Sequence, residues 1–125
     1  MTTPRHIAVI DIGKTNAKLA LVDLQARAEV AVTTRPNAVI QGPPYPHFDT
    51  EGHWEFLLDA LTTFQKSHGI DAISITTHGA CAAFLGHNGT LAAPVMDYEH
   101  TGPDTLQAEY DALRPPFVET GSPRL

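Results

Sequence analysis

The chain has 125 residues, 42% of them hydrophobic, the size of one domain with enough apolar content for a core. Fourteen acids against 8 bases give a formal charge of −6 with no basic run, which argues against DNA or RNA as a partner and leaves small molecules and proteins. The single cysteine, Cys81, cannot form an intramolecular disulfide, and there is no signal-peptide core or long apolar span, so a cytoplasmic protein without a membrane segment is expected.

The first element lies in residues 7–24, IAVIDIGKTNAKLALVDL, an apolar strand that ends in an acid and a small polar turn before a second apolar run. Asp11 stands where the strand stops, Gly13 lets the backbone approach a ligand without a Cβ in the way, and Thr15 and Asn16 add a hydroxyl and an amide beside backbone N–H groups. That is a candidate lining for phosphate oxygens, with the carboxylate placed to hold a hydrated divalent metal. Gly13-Lys14-Thr15 resembles the end of a P-loop, but the first glycine of that pattern would fall at position 8, which is Ala. A P-loop opens a helix, whereas a β-turn-β phosphate hairpin continues as sheet. Residues 17–28 are rich in helix formers, yet β-prone 30–34 follows after an interval that suits a hairpin. An edge hairpin with an exposed Asp11 and no ligand is the plainer alternative.

Residues 35–47 carry Pro36, Pro43, Pro44 and Pro46 and read as an exposed loop. Asp49 or Thr50 can cap the helix that follows, whose Trp54, Leu57, Leu58, Leu61 and Phe64 recur at helical spacing and predict one buried face, with Gly69 as the stop. Residues 71–77 alternate, with Ile73 and Ile75 on one face, as a strand entered straight from a helix. A helix packed on a mixed sheet is expected. The apolar runs 80–85 and 91–96 flank Asn88-Gly89, the signal of a second hairpin. Pro103 suits the first turn of a last helix with Leu106, Tyr110 and Leu113 on one face, ended by Pro115 and Pro116. The tail, residues 117–125, has no partner in sight, its polar stretch 119–123 looks like the middle of a loop, and the chain reads as stopping inside a domain. Cys81, among Ala80, Ala82 and Ala83, reads as a small buried hydrophobe.

Two more candidate sites stand at strand ends, where α/β proteins commonly place ligands. Thr77-His78-Gly79 can present an imidazole that both donates and accepts hydrogen bonds to a polyhydroxylated ligand, and Asp97 can accept two. Each alone reads as a satisfied turn or core group; together with Asp11 they would converge on one end of one sheet. The seven histidines show no paired spacing, which argues against a zinc site.

DIGKTNAK at 11–18, the capped helix with Trp54, ISITTHGACAAFLGHNG at 73–89 and APVMDYEH at 93–100 resemble, in order and over nearly the whole chain, the N-terminal part of the FGGY carbohydrate kinases. The resemblance implies an α/β fold of the ribonuclease H-like, actin-like ATPase type: a mixed sheet with flanking helices, here an incomplete domain. It makes residues 1–125 a truncated first part of the kinase's first domain, with the rest of that domain and the second domain absent. It implies transfer of the γ-phosphoryl group of ATP to a hydroxyl of a ketose or related polyol, with ATP and Mg2+ as cofactors. Asp11 matches the acid that orients hydrated magnesium, Gly13, Thr15 and Asn16 the turn facing the ATP phosphates, and Lys18 a position near the transferred group. Thr77, His78 and Gly79 match a sugar-lining segment, and Asp97 the acid of a Trp-x-Asp-x-Arg-like motif in which Val95 here replaces the Trp and Glu99 the Arg. No catalytic residue is implied within this chain, since the family base lies further along, so the 125 residues are expected to be inactive alone. Apolar surface left exposed could drive homo-oligomer formation. A ribonuclease H-like nuclease with two metals, or a non-catalytic sugar- or protein-binding module, are the alternatives.

Overall fold

The computed structural model describes residues 3–122. They fall into two compact units, residues 3–40 with 48–79 and residues 41–47 with 80–122.

In the first unit, β1 (His6–Ile12) and β2 (Asn16–Asp23) form an antiparallel hairpin in which Asp11 faces Lys18 and Ile12 faces Ala17. Residues 17–23 therefore continue as sheet despite their helix-forming composition. Pleating places Ala17, Leu19 and Leu21 on one face, and all three are fully buried; helical winding would spread them around the axis. Asp23 then turns the chain: its Oδ1 accepts the backbone N–H of Gln25 at 2.8 Å and Ala26 at 3.0 Å, and Arg5 Nε and Nη2 donate to its Oδ2. The chain returns as β3 (Ala28–Pro36), antiparallel to β2, with an irregularity between Leu21 and Val22. Short strands β4 (Val39–Ile40) and β5 (His47–Phe48) bracket the proline-rich loop.

Helix α1 (Thr50–Ser67) is capped by Asp49, whose Oδ1 accepts the Gly52 N–H at 3.0 Å, and it ends before Gly69, which has φ +78°. It leads into β6 (Ala72–Thr77), parallel to β1, and the sheet order is β3-β2-β1-β6. This is the mixed sheet with a flanking helix that the sequence predicts. The core joins Ala8, Ile10, Leu19 and Leu21 to Leu57, Ala60 and Phe64.

The helix face is rotated from the expected one. Its buried stripe is His53, Leu57, Ala60 and Phe64, whereas Trp54 is 60% and Leu58 45% exposed. The polar His53 displaces Trp54 because the sheet end offers it hydrogen-bond partners, described below. Ile73 and Ile75 alternate as expected and pair with Ala8 and Ile10, but they are exposed, because α1 lies over β2 and β3 rather than β6.

In the second unit the predicted hairpin reduces to a single bridge between Leu85 and Leu91. The turn itself forms, with Gly86 N–H donating to Thr90 O at 2.9 Å and Gly89 at φ +78°, but Phe84 and Leu85 remain exposed and no ladder develops. The last helix starts as a 3₁₀ turn at Gly102–Leu106 and continues as α2 (Gln107–Leu113), its Leu106, Tyr110 and Leu113 exposed rather than buried. A short α3 (Phe117–Thr120) takes in Glu119 and Thr120 of the expected loop 119–123; residue 123 of that loop lies outside the described residues.

Candidate functional site

Because β1 and β6 run parallel, their C-terminal ends lie side by side, Asp11 opposite Thr76 and Ile12 opposite Thr77. Ile12 O accepts both the His78 N–H at 3.1 Å and the Thr77 hydroxyl at 3.0 Å. Asp11, the 13–16 turn, Lys18, Thr77, His78 and Gly79 thus belong to one end of one sheet. Asp97 belongs to the second unit.

The turn closes through Gly13 N–H to Asn16 O at 2.9 Å. Gly13 does not adopt a positive φ, and a Cβ built there would come within 3.3 Å of Asn16 O, so tight approach rather than left-handed backbone selects glycine. Asn37 fastens the turn twice: its N–H donates to Thr15 O at 2.8 Å and its Nδ2 to Gly13 O at 2.8 Å. Lys14 Nζ lies 5.3 Å from the centroid of the buried Phe48 ring, which is 5.9 Å from the His78 ring. Phe48 thus neighbours both the Lys14 ammonium and the His78 ring. Lys18 directs its ammonium to Glu29 at 3.2 Å on the sheet surface.

By alternation Asp11 faces away from the side of the sheet that Ile10 and Ile12 present to α1. One half-buried carboxylate beside a polar turn suits magnesium, which keeps several waters and takes one or two carboxylates plus phosphate oxygens. Among the described residues, no group of three or more His, Cys, Asp or Glu is gathered as for a dedicated metal cage.

Arg35, Asn37 and His53 form a cluster that the sequence reading did not single out. His53 Nε2 is 2.7 Å from Asn37 Oδ1, and Arg35 Nη1 is 3.1 Å from His53 Nδ1. A guanidinium only donates, so Nδ1 accepts and Nε2 carries the proton toward Asn37. Arg35 Nη2 also pairs with Asp49 Oδ2, and a Cβ at Gly52 would collide with both partners, which explains a glycine inside the first helical turn. Burial, then the charge of Arg35, hold the His53 pKa below its ordinary 6.5, with Asp49 opposing. A depressed folded-state value contributes stability that is present above pH 6.5 and lost as pH falls through it. Asp23, Asp49 and Asp71 are held below the ordinary 3.8 by hydrogen bonds from Arg5, Arg35 and backbone N–H groups, and act only at lower pH. The thermal midpoint is therefore expected to fall between about pH 7 and pH 5, and less so in His53→Gln, as read by calorimetry.

In the second unit, a cavity of about 400 Å³ is lined by Tyr45, Cys81, Met96, Asp97, Tyr98 and His100 among others. Asp97 is 7% exposed; its N–H donates to Pro46 O at 2.9 Å and its Oδ1 accepts the Glu99 N–H at 3.3 Å. Tyr45 donates its hydroxyl to Pro94 O at 2.8 Å, and the half-buried Cys81 thiol lies 3.6 Å from Met96 O.

No protein-family model and no curated protein matches the chain. Among solved structures, the fold is that of the N-terminal part of carbohydrate kinases, the actin-like ATPase type. A carbohydrate kinase from Novosphingobium aromaticivorans matches with a TM-score of 0.84 and 34% identity, over 99% of this chain and 26% of its own. The Plasmodium falciparum glycerol kinase with ADP (TM-score 0.73, 16% identity, 90% of this chain and 24% of its own) and the gluconate kinase of Lactobacillus acidophilus (0.71, 19%, 88% and 23%) share the fold. The resemblance to the FGGY carbohydrate kinases is borne out by these neighbours, and the chain spans about a quarter of their length. Among the described residues, no helix is long and apolar enough to cross a membrane.

Proposed function

We propose that this chain is the N-terminal part of an ATP-dependent, cytoplasmic carbohydrate kinase acting on a ketose or related polyol. The observation that carries the proposal is the fastened 13–16 turn beside Asp11 at a sheet end, in a chain 34% identical to a carbohydrate kinase over 99% of its length. In this reading the turn, with Thr15, Asn16 and Lys18, faces the ATP phosphates, and Asp11 holds hydrated magnesium, which would neutralise phosphate charge. Thr77, His78 and Gly79 at the end of β6 are assigned to the sugar in this reading, as is Asp97, which lines a cavity of the second unit of about 400 Å³, within the range of small-molecule sites. Phosphoryl transfer depends mostly on positioning and charge neutralisation, so these residues bind and align rather than form bonds. The base that takes the sugar hydroxyl proton is not among them, and the 125 residues alone are inactive in this reading. No observation favours the nuclease.

The test is ATP turnover with magnesium against a panel of ketoses and polyols, using the natural protein that carries this chain. Sugar-dependent ADP release is expected, with none from the 125-residue chain alone. Sugar binding without magnesium-dependent nucleotide binding would overturn the kinase assignment in favour of a binding module.

A further inference from the structure

The polar chain from α1 to the turn has a direction. Arg35 donates to His53 Nδ1, His53 Nε2 donates to Asn37 Oδ1, and Asn37 Nδ2 donates to Gly13 O, each link 2.7–3.1 Å long. Its middle members are buried, His53 at 7% and Asn37 at 9% exposure. Burying two polar side chains is costly unless each is hydrogen-bonded, and here both are. Asn37 can serve Gly13 O only if its amide is turned with Nδ2 toward the turn, and the proton on His53 Nε2 enforces that orientation by requiring Oδ1 on its own side. In a trans peptide, C=O and N–H point opposite ways. Holding Gly13 O and Thr15 O on Asn37 therefore turns the N–H groups of Lys14 and Asn16 away from it.

We infer that His53 is a positioning residue for the 13–16 turn, acting through Asn37 to set the orientation of its peptide groups. The consequence for phosphate binding rests on the kinase reading above; the relay itself does not. Arg35 on β3 and Asp49 at the head of α1 are the charged groups that face His53. Protonating Nδ1 would set two donors against each other, His53 and Arg35, so the relay is intact only with a neutral ring.

Two measurements on the 125-residue chain test this. In the unaltered chain, a pH titration followed by NMR should show the Lys14 amide and the Asn37 side-chain amide shifting with the midpoint of the His53 ring itself. Absence of any shift in both across that midpoint overturns the relay. In His53→Phe, exchange of the Gly13 and Asn37 amides should accelerate on the order of tenfold or more, with the Leu19 and Leu21 amides unchanged. His53→Gln, whose carboxamide also offers one donor and one acceptor, should restore protection. Equal acceleration at all four amides, or at none, contradicts a positioning role. Magnesium-dependent ATP binding, measured separately on the natural protein, decides the kinase reading: a coupled titration without nucleotide binding would leave the relay standing and the phosphate role refuted.

Discussion

Leu19→Ala is expected to destabilise the first unit by about 2–5 kcal/mol, the range for emptying a buried leucine site. Leu19 and Leu21 are the largest side chains that are fully buried, and Leu19 packs in the cluster that joins β1 and β2 to Leu57, Ala60 and Phe64 of α1. One side of that contact is held by sheet ladders and the other by intrahelical hydrogen bonds, so the void has little chance to close. Against a net stability of about 5–15 kcal/mol for a domain, the loss is a large fraction, and the thermal midpoint should fall by roughly 10–20 °C. Trp54→Ala is the paired control. Its 60% exposure predicts a change of only about 0.5–1 kcal/mol, although helical periodicity alone would rank it among the core residues. Chemical denaturation of both variants reads the difference, and a Trp54 effect equal to that of Leu19 would contradict the observed helix rotation.

If the proposed kinase reading holds, Asp11→Asn lowers nucleotide-dependent turnover of the natural protein by about 10–100-fold with little change in folding stability. That magnitude follows from the proposed role, a carboxylate acting on the metal through water, where its charge matters and direct coordination does not. The side chain is half-buried at a strand end and outside the apolar cluster, so the amide should be accommodated. Initial-rate kinetics over a range of magnesium concentrations separate the outcomes. Partial recovery at high magnesium supports a role in metal binding, whereas unchanged turnover would remove Asp11 from the site.

The hairpin is only half legible: the short interval to the β-prone run 30–34 favours it, while the composition of 17–28 favours helix. The structure shows that burial of Ala17, Leu19 and Leu21 on one pleated face, with Asp23 turning the chain, outweighs that propensity. The cap at Asp49, the stop at Gly69 and the strand after it follow from local chemistry and stand where expected. What could not be read locally depends on partners far along the chain. Arg35 and Asn37 meet His53 18 and 16 residues away, and Asn37 meets Gly13 across 24. Only the completed sheet end shows that His53 belongs inside and Trp54 outside. A lone His, Asn or Arg with no motif around it carries no signal of such a meeting, though a glycine in the first turn of α1 hinted that something approaches closely there. The region 80–96 failed in the other direction: its turn chemistry is right, but local signals cannot supply the sheet partners that a ladder needs.

The most direct measurement of the central claim is a residue-resolved NMR titration of this chain with ATP, with and without magnesium. Binding at the end of β1 predicts perturbations concentrated at the amides of Gly13, Lys14, Thr15 and Asn16, strengthened by magnesium and weakened in Asp11→Asn. Perturbations centred elsewhere, or the same in the presence and absence of magnesium, would contradict it.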